Sequence, residues 1–290
     1  MGDNSKIIFT KFHGLGNDFI VMNGSNISGN FSRLAHSICE RHTGVGADGL
    51  LLVQKPRTAD NHARVRFFNA DGSEAEMSGN GIRCAGAFLV RERRRLHLLR
   101  VETASGVKVL ELMSGGSRAK QEKWKFQVNM GKPILNPQKI PFVAGKHPSP
   151  VIGYPILTTH GILGATVTSM GNPHCSIFVK EFSIIPWEEI GREIERSALF
   201  PNRTNVEFVH VLSKNEIEVR YWERGVGKTL SSGTGSCGAV VACILNGFTQ
   251  RSVKVRTLAG TLEVKWPEDK EVTLAGPVRL IADGVYYPPG

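Results

Sequence analysis

No stretch of this 290-residue chain approaches the ~18 consecutive apolar residues that a membrane-spanning helix needs. Its first twenty residues, interrupted by Lys6, Lys11, His13 and Asp18, also lack the apolar segment of a secretory signal. A cytoplasmic protein with no membrane partner is expected. Cysteine is scarce: Cys39, Cys84, Cys175, Cys237 and Cys243 are odd in number and no two form a CxxC pair. That argues against a disulfide framework and against structural zinc, and leaves the thiols as small buried hydrophobes. Neither GxxxxGK[ST] nor HExxH occurs and the nine histidines are scattered, so no nucleotide and no metal is expected.

What is present is ordinary for a folded protein. Hydrophobic residues make up 41% and charged residues 21%, which supports a packed core rather than disorder. At ~150 residues per domain the length suits about two domains. Lysine and arginine exceed aspartate and glutamate by 36 − 26 = 10, an excess that favours anionic ligands. The densest basic run, Arg91–Arg95, follows a helical apolar pattern. It reads as the cationic last turn of a helix rather than a nucleic-acid patch, since no aromatic-rich RNA motif or zinc-finger spacing accompanies it.

The most informative feature is an internal repeat. Val65-Arg66-Phe67-Phe68 is matched by Val219-Arg220-Tyr221-Trp222, and Ser78-Gly79-Asn80-Gly81 by Ser232-Gly233-Thr234-Gly235. Val101, Thr103 and Gly106 are matched by Val255, Thr257 and Gly260, all at one offset (232 − 78 = 154). Gly16-Asn17 and Gly171-Asn172 stand one residue further apart (172 − 17 = 155), as a loop difference allows. Two copies of one unit are expected, a first half over 1–135 and a second over 136–290, with the C-terminal segment packing back on the first.

Periodicity and punctuation give each copy the same order of elements. The first reads as strands at 7–12 and 19–22, a helix at 31–41, strands at 50–54 and 64–68, a Gly-rich turn, a helix at 82–94, and strands at 99–103 and 107–112. The second reads as a strand at 174–179, a helix at 187–198, strands at 206–212 and 216–222, the second turn, a helix at 236–245, and strands at 253–257 and 261–264. Residues 114–150, rich in Gly, Lys and Pro, read as linker and boundary strands. The fold class expected is α/β in the mixed α+β sense: two pseudo-twofold-related halves with a ligand cleft between them.

SGNG and SGTG each end where an apolar helix begins, where unpaired N–H groups and the positive end of the helix dipole make an anion site. One such turn alone is more simply a flexible glycine-rich connection. Its repetition amid diverged sequence favours a carboxylate or phosphate site, and neither turn has the GxGxxG spacing of a dinucleotide fingerprint. Ahead of the turns, Asn69-Ala70 in one copy is replaced by Glu223-Arg224 in the other. Adjacent Glu and Arg are usually solvated surface charges. Beside a helix-terminal anion site they become candidates for an ammonium and a carboxylate, so the ligand is expected to be asymmetric.

The ordered segments Phe12-His13-Gly14-Leu15-Gly16-Asn17-Asp18-Phe19, Gly44-Val45-Gly46-Ala47-Asp48-Gly49, Asn69 to Met77, Gly79-Asn80-Gly81-Ile82-Arg83-Cys84, Gly171-Asn172-Pro173-His174, Asn205-Val206-Glu207-Phe208, Glu223-Arg224-Gly225 and Gly233-Thr234-Gly235 resemble those of the diaminopimelate epimerases. The resemblance runs from about residue 8 to 280. It implies two halves, each a mixed sheet wrapped around a central helix, and a cofactor-independent, cytoplasmic isomerase that commonly forms homodimers. The implied reaction interconverts L,L- and meso-diaminopimelate in lysine biosynthesis, one cysteine thiolate taking the α-proton and a second thiol returning one from the opposite face.

Carried over by position, the resemblance implies that Gly79, Asn80, Gly233 and Thr234 hold the reacting carboxylate. Asn17, Asn69, Asn172, Asn205 and Arg224 would bind the distal end, with Glu223 and His174 near the reacting centre. The two acid/base positions, however, carry Ser78 and Ser232 here. Cys84 and Cys237 lie deeper in the helices (84 − 78 = 6; 237 − 232 = 5) and do not substitute for them. Lys228 stands where the family more usually has an acidic residue. The reading is an epimerase by descent, inactive or nearly so as written. Two alternatives stay open: a non-catalytic amino-acid-binding relative, or an isomerase with Glu223 or Glu76 as carboxylate base. A nucleic-acid binder, resting only on net charge, is the weakest reading.

Overall fold

The protein is described from a computed structural model over residues 6–93, 96–115, 122–143, 145 and 147–289. Contacts divide the chain into one unit of Met1–Val128 with Gly276–Gly290 and a second of Asn129–Ala275. The division thus falls ahead of the 135/136 boundary read from sequence.

The first unit contains β1 (Ile7–Gly14), β2 (Asn17–Asn23), α1 (Phe31–Cys39), β3 (Gly49–Gln54), β4 (Ala63–Asn69), β5 (Glu74–Ala75), α2 (Gly79–Glu92), β6 (Leu98–Thr103), β7 (Gly106–Ser114) and the start of β8 (Lys123–Gly131). The second holds β9 (Val151–Thr158), β10 (Gly161–Ser169), β11 (Pro173–Phe178), α3 (Trp187–Glu195), β12 (Asn205–Ser213), β13 (Glu216–Glu223), β14 (Gly227–Thr229), α4 (Gly233–Leu245), β15 (Ser252–Thr257), β16 (Gly260–Lys265) and the start of β17 (Val272–Tyr286). The remainder of β17 belongs to the first unit, where it pairs antiparallel with β1.

The units repeat one another down to hydrogen-bond register. In the first, β2–β3 and β4–β6 are parallel; in the second, β11–β12 and β13–β15 are. Ala63 opposes Val101 as Ile217 opposes Val255, and Phe67 opposes Ala75 as Tyr221 opposes Thr229, each pair displaced by the same interval (217 − 63 = 154). Each half is therefore a mixed sheet with one outer and one central helix. Leu50-Leu51-Leu52-Val53 on β3 is buried without alternation, as a strand covered on both faces must be. One face meets α1 through Ala35, Ile38 and Cys39, and α2 packs on β1 to β4. In the second unit Ile190 and Ile194 of α3 pack with Phe208 and Trp222.

The central helices are buried all round, from Asn80 to Val90 in α2 and from Gly235 to Cys243 in α4. Both start three residues earlier than read from sequence, at Gly79 and Gly233 (82 − 79 = 3; 236 − 233 = 3). Glycine weakens a helix interior, but here space decides: a Cβ on Gly81 would sit 3.2 Å from Phe67 Cε1, and one on Gly235 2.9 Å from Glu207 Oε1. The outer helices end sooner than read, at Cys39 and Glu195. Strands β9, β10 and β17 were not anticipated. Of the basic run, Arg91 pairs with Asp283 at 2.9 Å and Arg93 donates to the His62 carbonyl. Arg94 and Arg95 lie outside the described residues, as do 116–121, 144 and 146 of the expected linker.

Candidate active site

The two glycine-rich turns have the same conformation. Ser78 caps α2 with φ −126° and ψ 127°, and Ser232 caps α4 with φ −127° and ψ 129°. Each hydroxyl oxygen accepts the N–H three residues on, Gly81 at 3.1 Å and Gly235 at 3.2 Å. The preceding N–H groups, of Gly79 and Asn80 and of Gly233 and Thr234, lie ahead of the first intrahelical bond and so need outside acceptors. Each turn thus presents two N–H donors with the helix dipole behind them, a geometry suited to a carboxylate.

In the first unit Asn80 sits beside Asn17, whose Oδ1 accepts from it at 3.4 Å, and Asn17 donates to Asp48 Oδ2 at 2.8 Å. Arg83, fully buried one turn into α2, donates to Asn80 Oδ1 at 2.7 Å and to the Gly79 carbonyl at 3.0 Å. It locks the turn's backbone and side chain together. Asn69 is exposed at the end of β4, with its amide donating to Ser73 Oγ at 2.9 Å. Among the described contacts it does not join the Asn17–Asn80 group.

The second unit gathers more. Asn172 donates to Thr234 Oγ1 at 3.3 Å, which repeats the Asn17–Asn80 pairing at the equivalent positions. Its Oδ1 meets His174 Nε2 at 3.0 Å, and His174 Nδ1 meets Glu207 Oε1 at 2.7 Å. Glu223 accepts from Ser232 Oγ at 2.8 Å and from Thr229 Oγ1 at 2.7 Å. Asn205 is spent on backbone: Nδ2 donates to the Pro173 carbonyl and Oδ1 accepts the Arg224 N–H, both at 3.0 Å. It fixes the start of the Arg224 turn, and the Arg224 side chain is exposed, donating to the Asn202 carbonyl. Lys228 pairs with Glu188 at 2.7 Å and lies over the Trp187 ring, which ties β14 to α3. Glu76 is exposed.

All five cysteines are free and buried. Burial pushes the Cys39, Cys84 and Cys243 thiols up to about 12 and Cys175 well above its ordinary value, so none of these four offers a thiolate near neutral pH. Two buried polar residues at the turns received no role from sequence, Arg83 and Glu207. Each is a lone charge between apolar neighbours, Arg83 between Ile82 and Cys84 and Glu207 between Val206 and Phe208, and its cost shows only once the element is seen to be buried. Among the described residues no group of three or more His, Cys, Asp and Glu side chains could hold a metal ion.

The diaminopimelate epimerase family model matches residues 9–135 and 166–281. The chain is 45% identical over 282 residues to the diaminopimelate epimerase of Pelotomaculum thermopropionicum, covering 96% of this chain and 98% of that one. It is 42% identical over 281 residues to the enzyme of the same name from Halothermothrix orenii, covering 96% and 97%. This chain belongs to the diaminopimelate epimerase family. It is accordingly of an isomerase family that acts on a small molecule. Solved structures share the fold at low identity. A hydroxyproline epimerase of Agrobacterium vitis aligns with TM-score 0.68 at 14% identity, covering 97% of this chain and 90% of that one. A phenazine biosynthesis PhzF-family protein of Bacillus anthracis also aligns with TM-score 0.68, at 16% identity, over 97% and 99%. No helix among the described residues is long and apolar enough to cross a membrane.

Proposed function

We propose that this chain binds diaminopimelate and is an epimerase of L,L- and meso-diaminopimelate whose acid/base positions, 78 and 232, carry serine. The observation that carries this reading is the pair of equivalent helix starts, each with a serine at the cap and two N–H donors suited to the α-carboxylate. The same reading brings a cofactor-independent homodimer in the cytoplasm, serving lysine biosynthesis.

Acid strength sets the expected rate. A thiol begins at ~8.5 and a helix N-terminus can bring it near neutrality. An aliphatic hydroxyl begins several units higher, so the same field leaves almost no alkoxide, and a base must be deprotonated to take an α-proton. Ser78 and Ser232 are expected to leave turnover nearly absent while binding persists. The test is deuterium incorporation at Cα in heavy water together with L,L-to-meso conversion, on the unmodified chain, Ser78→Cys, Ser232→Cys and the double variant. Only the double variant should turn over at an enzyme-like rate, because the two faces of Cα need separate groups. Rapid turnover by the serine chain would reject the argument, as would a double variant that folds, binds and stays inert.

One contact favours a second reading, in which Glu223 itself is the base. Its carboxylate stands at the α4 turn, 2.8 Å from Ser232 Oγ. If so, the serine chain exchanges Cα deuterium on one face and Glu223→Gln abolishes that exchange.

A further inference from the structure

The floor beneath the two turns differs between the halves. On β2 and β3, Phe19 opposes Gly49; on β11 and β12, His174 opposes Asn205, with the same parallel pairing. His174 therefore occupies the place of Phe19, and Glu207, two residues past Asn205, that of Leu51. Both members of each pair are buried: Phe19 is 6% exposed and Leu51 0%, against 0% for His174 and 1% for Glu207. The first half thus builds this floor from hydrocarbon. The second half places an imidazole and a carboxylate there, a costly choice, since replacing a buried ionisable pair by packed apolar residues of similar volume is often neutral or stabilising.

The helix above is cut to fit them. A Cβ on Gly235 would lie 2.9 Å from Glu207 Oε1, and one on Gly238 would lie 2.9 Å from His174 Cγ. Gly235 and Gly238, three apart on α4, form a notch for the pair. Burial pushes the Glu207 carboxyl up, opposed by His174 and reinforced by Glu223. From His174 the contacts continue through Asn172 to the Thr234 hydroxyl in the first turn of α4. Asn172 can bridge these two atoms with its amide in either orientation.

We propose that Glu207 is a positioning residue: it holds the proton on His174 Nδ1, so that Nε2 is the ring nitrogen coupled through Asn172 to the Thr234 turn. The pair is retained for the ligand-binding turn and not for the stability of the half. This deepens the diaminopimelate reading above and, for its binding arm, rests on it.

The experiment has three arms. Ring-nitrogen NMR on chain labelled with 15N-histidine, with His174 assigned by its loss in His174→Phe, should show Nδ1 protonated in the unmodified chain and in Glu207→Gln, whose amide oxygen still accepts. In Glu207→Leu the proton should stand on Nε2, with Nδ1 bare. Calorimetric titration with diaminopimelate should show Glu207→Leu binding at least about tenfold more weakly, the loss of one hydrogen bond to a charged group, with Glu207→Gln recovering most of it. The double variant His174→Phe/Glu207→Leu, which copies the Phe19–Leu51 floor, should melt at or above the temperature of the unmodified chain while binding as poorly as Glu207→Leu.

A bare Nδ1 in the unmodified chain would overturn the proposal. So would undiminished binding by Glu207→Leu, or a double variant that melts well below the parent. Should the unmodified chain fail to bind diaminopimelate, that reading falls. The ring proton and the melting of the double variant still decide the role of Glu207.

Discussion

Serine at 78 and 232 has two physical consequences that pull in opposite directions. The hydroxyl is a poor acid/base group, yet it is among the best helix caps, and both serines are engaged as caps. Ser78→Ala and Ser232→Ala are each expected to cost about 1 kcal/mol of stability, readable as a lower midpoint in thermal or urea unfolding. The cysteine variants proposed above to restore chemistry should lose part of the same cap, so on that proposal gain of turnover and loss of stability should travel together. A second expectation concerns the native thiols. With Cys39, Cys84 and Cys243 held at about 12 and all five buried, a colourimetric disulfide reagent at pH 8 should titrate almost no thiol until denaturant is added. Rapid reaction of even one equivalent in the folded chain would contradict that burial. The cap serines were legible in the sequence as repeated motif positions. Glu207 was not assigned, because a lone acidic residue in a strand shows its cost only once the strand is known to be covered on both faces.

Between the elements of the first half, one charged cluster joins the β1–β2 hairpin to the end of α1 and the approach to β3. Asp18 accepts from Lys11 at 2.9 Å and from Arg41 at 3.1 Å, and Arg41 also reaches Asp48 at 2.8 Å. Burial raises the Asp18 carboxyl, but the hydrogen bonds and charges of Lys11 and Arg41 outweigh it and hold it below its ordinary value. A carboxyl depressed in the folded state contributes stability that is present above its unfolded pKa and is lost as pH falls through the folded one. Asp18→Asn should therefore destabilise most near pH 7, and the difference from the parent should shrink as pH drops below about 4, the ordinary carboxylate value. A difference that stays constant from pH 7 to pH 3 in urea titrations would show that the charge is not the cause. Elements of this kind were only partly readable. Strand β3 announced itself by Leu50 to Val53. By contrast β9 and β10, with Gly153, Pro155, Gly161 and Gly164 among their residues, carry the punctuation of loops, and pairing with each other overrides it.

For the whole chain, the duplication was legible because it is written in residues that both halves must keep, the Ser-Gly-x-Gly turns and the Val and Thr positions of β6 and β15. Strand β17 was not, because Gly276-Pro277 in its middle reads as a turn. The structure gives that dipeptide another meaning. Thr273 to Ala275 pair with β16 and Arg279 to Tyr286 pair with β1. Pro277, with no N–H to give, stands in the interval between these two pairings. Arg279 to Tyr286 are therefore part of the first half's sheet, bound also by Asp283, which accepts from Thr10 at 2.7 Å and from Arg91 at 2.9 Å. Ending the chain after Ala275 would strip β1 of its neighbour from Ile7 to His13 and leave an unpaired edge. Hydrogen exchange on that truncated chain should show β1 amides losing protection while the register of β11, β12 and β13 in the second half stays protected. Asp283→Asn is the control. It breaks only a partly exposed ion pair, which is worth at most about 1 kcal/mol, and should leave β1 protection nearly intact. Full protection of β1 without residues 276–290 would mean that β2 alone holds it, and the assignment of the C-terminal strand to the first half's stability would be wrong.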